Sequence, residues 1–115
     1  MARLKGKVAI VTGGNSGVGA ATALLLAKEG AKVVISARRE AQLIEVANEI
    51  KEAGGEVLIV VTDIAKTDDV KNLISKTVEA FGKVDILVNN AGVLEEGLKP
   101  IDCVLDDDIS YVLHA

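Results

Sequence analysis

Aromatic side chains are nearly absent from this 115-residue sequence: it has no tryptophan, and Phe81 and Tyr111 make up the whole 2%. A core must therefore be built from Val, Ile, Leu and Ala, and there is no platform on which single-stranded bases could stack. Cysteine is equally scarce. Cys103 stands alone, which excludes an intrachain disulfide and fits a reducing compartment. With no His or Cys near it in sequence, Cys103 reads as a small half-buried side chain rather than a nucleophile. The one histidine, His114, is expected to be solvated near the chain end.

Long apolar runs are missing as well. No stretch approaches the ~20 residues of a membrane span. Arg3, Lys5 and Lys7 ahead of Val8 to Val11 imitate a signal peptide, but the apolar part is shorter than the roughly 7–15 residues required, and Gly13 and Gly14 end it. The net charge is -4, with Lys and Arg interspersed among acids. No basic stripe is available to neutralise a nucleic-acid backbone. A soluble, cytoplasmic protein that binds neither nucleic acid nor membrane is expected.

What is present is a regular alternation of apolar patterns. Hydrophobic residues are 50% and charged residues 26%, a globular balance. Residues 1–115 read as one dinucleotide-binding domain, incomplete for reasons given below. Continuous β-branched runs at Val8 to Thr12, Val33 to Ser36, Val57 to Thr62 and Val84 to Asn89 predict strands buried on both faces.

Helical spacing separates the strands. Ala21, Leu24, Leu25 and Lys28 outline the first helix, which stops at Gly30. Leu43, Val46, Ala47 and Ile50 give the second, ending at Gly54 and Gly55. Val70, Leu73, Ile74, Thr77, Val78 and Phe81 give the third, with Thr67 as its cap, Asp68 and Asp69 at its positive end and Gly82 as its stop. The order β-α-β-α-β-α-β predicts an α/β fold, a doubly wound parallel sheet of Rossmann type with strand order 3-2-1-4, truncated after the fourth strand. Its ligand would sit above the carboxyl ends of the strands. A further helix is expected to start at Asp106, Asp107 and Asp108.

The chemistry-bearing residues fall at those carboxyl ends. Thr12-Gly13-Gly14-Asn15-Ser16-Gly17-Val18-Gly19 follows the first strand and runs into a helix. Glycines permit a sharp turn and close backbone approach, and free N–H groups opening a helix favour a pyrophosphate. A plain Gly-rich turn is the bland alternative. A Walker loop is excluded, because Ala20 and Ala21 follow Gly19 where Lys and Ser or Thr are needed; G-x-G-x-x-G fails because Thr22 occupies its third glycine. T-G-x-x-x-G-x-G remains.

Together with Asp63-Ile64 and Asn89-Asn90-Ala91-Gly92 at the ends of two further predicted strands, that pattern resembles the classical short-chain dehydrogenases/reductases over essentially the whole chain. The resemblance implies a glycine loop under the cofactor's pyrophosphate, Asp63 on the adenine amino group, and Asn90, Ala91 and Gly92 along a ribose. It also implies hydride transfer between a nicotinamide and a small carbonyl or alcohol substrate, and usually a homo-oligomer.

Arg38 and Arg39 select the cofactor. An NAD site places a carboxylate after the second strand, roughly 20 residues beyond the glycines. Here Ala37 is followed by two guanidiniums, which suit the 2′-phosphate of NADP and make NAD the lesser candidate. Cations at a helix start are disfavoured by its dipole, so a bound anion would relieve them.

In the resembling family a Ser and a Tyr-x-x-x-Lys pair move the proton. Tyr111 is not that tyrosine, since Ala115 lies four residues on, so no catalytic residue is assigned and the 115 residues alone are expected to be inactive. The expectation is the cofactor-binding half of an NADP-dependent oxidoreductase, with a non-catalytic dinucleotide-binding module or a structural fragment as the alternative. The edge formed by Val84 to Val88 is expected to be bare, leaving the chain weakly stable or self-associating.

Overall fold

The computed structural model describes residues 3–13, 17–63, 66–89 and 111–114. The elements are β1 (Val8–Thr12), α1 (Gly17–Lys28), β2 (Lys32–Ala37), α2 (Glu40–Glu52), β3 (Val57–Val61), α3 (Thr67–Phe81), β4 (Ile86–Asn89) and β5 (Tyr111–His114). All strand pairs are parallel, in the order β3-β2-β1-β4-β5. The expected order 3-2-1-4 holds and is extended by one strand.

Strand β1 is buried along its whole length because strands flank both of its edges and side chains cover both faces. Period-two alternation sorts those side chains. Ala9, Val11, Val33, Ile35, Ile86 and Val88 meet Ala23 and Ala27 of α1 and Leu43, Val46, Ala47 and Ile50 of α2. On the other face Ile10, Val34, Val60 and Leu87 meet Val70, Leu73 and Ile74 of α3.

Three expectations are corrected here. The buried face of α1 is Gly19, Ala23 and Ala27, not the stripe through Ala21, Leu25 and Lys28; Leu25 is 63% exposed, and only Leu24 of the expected set packs against the core. The helix is apolar nearly all the way round, so spacing could not choose a side. Small side chains won, because they let α1 approach the sheet closely. Thr67 is already helical, the cap being Lys66, which offers no side-chain bond to the helix; Val70 N–H donates to the Lys66 carbonyl. Gly82 does end α3, at φ 85°.

The third correction concerns β4. Its outer edge is not bare, because β5 pairs with it from Ile86↔Tyr111 to Asn89↔His114. Residues 111–114 are therefore strand, not part of a helix begun at Asp106 to Asp108, which lie outside the described residues together with Cys103. No helix among the described residues is long and apolar enough to cross a membrane.

Candidate functional site

The carboxyl ends of β1, β2, β3 and β4 open on the same side of the sheet, and each is followed by one of the segments singled out in the sequence. Thr12 pairs with Ser36 on one side and Asn89 on the other, and Ser36 pairs with Val60, so one row of residues runs across the mouth. The strand order reverses between β1 and β4, the position at which doubly wound sheets admit ligands.

Thr12 fixes this junction. It is 1% exposed, and its hydroxyl donates to the Val88 carbonyl at 3.3 Å, tying the end of β1 to the end of β4. Gly13 then turns the chain at φ 67°, a left-handed conformation that costs glycine little, while its N–H still donates to the Ser36 carbonyl at 2.8 Å. The α1 helix starts four residues later. Its first turn contains no acidic residue, so the positive end of its dipole is not neutralised from within. A Cβ built on Gly17 would meet no heavy atom of the described residues beyond its own helix within 4 Å. Val18 is 62% exposed beside it and Gly19 is buried against the sheet.

Arg38 and Arg39 leave β2 next to this turn, since the Thr12↔Ser36 register brings the two strand ends level. Both are exposed, and neither forms an ion pair with another described residue. Arg39 is the cap residue of α2 and makes no side-chain capping bond. Asp63 follows β3, half-buried, with its N–H donating to the Asp69 carboxylate at 2.9 Å and its carbonyl accepting from Lys66 N–H at 2.9 Å. The sequence places Asp69 only at the positive end of α3, and the fold alone brings its carboxylate back across the turn to the end of β3.

Thr12, Gly13, Gly17, Val18, Gly19, Arg38, Arg39 and Asp63 are thus gathered along one edge of the sheet. Asn15, Ser16, Ile64, Asn90, Ala91 and Gly92, also expected at the site, lie outside the described residues. Among the described residues, no group of three His, Cys, Asp or Glu could hold a metal ion.

A nicotinamide dinucleotide fits what is present. A helix start with no acidic residue in its first turn suits a pyrophosphate. The exposed guanidiniums after β2, which have no ion-pair partner among the described residues, suit an anion.

Comparison with known proteins identifies the family. The sequence profile of the short chain dehydrogenase family matches residues 7–115. An uncharacterised oxidoreductase of Thermotoga maritima is 50% identical over 91 residues, covering 79% of this chain and 36% of that protein. Glucose 1-dehydrogenase of Gluconobacter oxydans is 47% identical over 91 residues, covering 78% of this chain and 34% of that protein. Among solved structures, the apo form of a glucose dehydrogenase from Caenorhabditis elegans superposes with a TM-score of 0.75 at 46% identity, over 78% of this chain and 39% of that one. The chain therefore spans little more than a third of the length of these relatives.

Proposed function

Because this chain belongs to the short-chain dehydrogenase family, we infer that it is the cofactor-binding half of an NADP-dependent oxidoreductase acting on a small carbonyl or alcohol. The observation that carries the cofactor choice is the side-by-side exit of the Gly13 turn and of Arg38 from paired strands. A pyrophosphate at the start of α1 has the adenosine ribose running towards the end of β2. Ala37 there presents no carboxylate to repel a 2′-phosphate, and Arg38 and Arg39 present two cations without ion-pair partners among the described residues.

In this reading each residue has a binding role. The loop from Thr12 through Gly19, Asn15 and Ser16 among it, holds the pyrophosphate against the positive end of α1. Arg38 and Arg39 hold the 2′-phosphate, Asp63 and Ile64 border the adenine, and Asn90, Ala91 and Gly92 border a ribose. When bound, the nicotinamide supplies or accepts hydride. The 115 residues contain no Tyr-x-x-x-Lys pair to move the accompanying proton, so we assign them cofactor binding without turnover.

The test is a fluorescence titration of the chain with NADPH and NADH. Charge-assisted hydrogen bonds contribute about 1.5–3 kcal/mol, so NADPH is expected to bind roughly 10- to 100-fold more tightly. Equal affinities would remove the role given to Arg38, and no saturable signal with either would remove the binding reading altogether.

A further inference from the structure

Asp63 follows β3, an outer strand of the sheet. Thr62 N–H donates to the Ala37 carbonyl at 2.9 Å, so the chain is still bonded to β2 at that residue. Backbone direction alternates along a strand, and the next N–H, that of Asp63, is turned away from β2. Its acceptor is not another strand but a side chain, Asp69 Oδ2 at 2.9 Å. The Asp63 carbonyl accepts from Lys66 N–H at 2.9 Å, and the Lys66 carbonyl from Val70 N–H at 3.1 Å. Both backbone groups of Asp63 are thus held by the segment that opens α3.

The helix that supplies Asp69 is itself fixed on the sheet. Val70, the next residue, is 3% exposed and packs with Leu73 and Ile74 against Ile10, Val34 and Val60. The Asp69 carboxylate therefore reaches Asp63 from a packed base, and a bond to a charged acceptor is among the stronger kinds. Asp68 brings the same charge to the same turn, but it is exposed and the bond belongs to Asp69.

We propose that Asp69 is a positioning residue for recognition of the cofactor's base. By fixing the backbone from which the Asp63 side chain springs, it keeps the Asp63 carboxylate aimed at the amino group of the adenine. A base with a carbonyl in place of that amino group sets acceptor against acceptor and is disfavoured. Without Asp69 the Asp63 side chain must be ordered at the moment of binding, which costs affinity only for a base that uses it. This inference rests on the reading that Asp63 borders the adenine.

Fluorescence titrations with NADPH and with its hypoxanthine analogue, in which a carbonyl replaces the adenine amino group, test the idea. A hydrogen bond to a charged group is strong enough for the parent chain to prefer NADPH about tenfold or more. Asp69→Ala is expected to lower that preference about 3- to 10-fold by weakening NADPH, with the hypoxanthine analogue bound as before. Asp69→Asn, whose carboxamide oxygen can accept the same N–H, is expected to keep the preference. So is Asp68→Ala, which removes one charge from the same turn. Asp69 lies outside both apolar clusters, so its variants are expected to fold, and melting curves without ligand register any structural loss separately. An Asp69→Ala chain with the parent's preference would overturn the role of Asp69 alone. An equal fall in Asp69→Asn or Asp68→Ala would do the same, by placing the effect on charge at the helix start. A parent that binds both nucleotides equally would instead remove Asp63 from the adenine, and one that binds neither would remove the cofactor reading, this inference falling with it in both cases.

Discussion

At the head of β4, Asp85 closes the β1–β4 ladder twice. Its carboxylate accepts the Val8 N–H at 2.8 Å, and its own N–H donates to the Val8 carbonyl at 2.9 Å. Lys83 holds the same carboxylate at 3.1 Å, and the Asp85 side chain is only 14% exposed. Burial pushes its pKa up, but the Val8 N–H and the Lys83 ammonium outweigh that, with Lys7 adding to them, and the carboxyl titrates below its ordinary 3.8. A carboxyl whose folded pKa is depressed stabilises fully above its unfolded value and loses that contribution as pH falls through the folded one. Asp85→Ala leaves the Val8 N–H without its acceptor, so urea unfolding at pH 7 is expected to register a loss of about 1–3 kcal/mol. Below the folded pKa the gap between variant and parent should narrow; a constant gap at all pH values would mean that the charge contributes nothing.

The elements were legible where a pattern was one-sided. Leu43, Val46, Ala47 and Ile50 of α2, and Val70, Leu73, Ile74 and Thr77 of α3, are buried as their spacing requires, because polar residues fill the opposite faces. In α1 both faces are apolar, and the choice was made by the fit of Gly19, Ala23 and Ala27 to the sheet, a tertiary fact with no local signature. The same holds for the site. That Thr12 ends a strand, and that the glycines, Arg38 and Asp63 follow one, could be read from the sequence, whereas the bond from Asp69 required knowing that α3 folds back over the end of β3. Close fit also governs the junction of α1 and α2. A Cβ on Gly55 would stand 2.8 Å from Ile50 Cγ2 and 3.0 Å from Ala27 Cβ, so the connection after α2 packs against both helices only because that residue has no side chain. Gly55→Ala is therefore expected to cost about 1–3 kcal/mol by pushing the connection off them. Gly54→Ala, which meets open space but has φ 86°, should cost about 1 kcal/mol from backbone strain alone. Chemical denaturation of the pair separates overpacking from strain, and equal losses would argue against the packing role of Gly55.

At the scale of the molecule, the proposed cofactor site joins the ends of strands that are otherwise held together only by the sheet and its two covering layers. A ligand bridging the α1 start and the exit of β2 binds the folded chain and not the unfolded one, so it must raise stability in proportion to its occupancy. At a hundredfold excess over its dissociation constant the gain is about 2.7 kcal/mol. Arg38 is exposed and outside the core, so Arg38→Asp should leave the ligand-free melting temperature nearly unchanged. The same substitution puts a carboxylate where the 2′-phosphate is proposed to lie. NADPH should then lose most of its stabilising effect, while NADH, whose ribose hydroxyl can donate to that carboxylate, should gain one. Thermal unfolding of both proteins with each nucleotide reads the two effects together. If NADPH stabilises parent and variant equally, the phosphate does not rest on Arg38; if the variant melts lower without ligand, the side chain has a structural role that its exposure does not suggest.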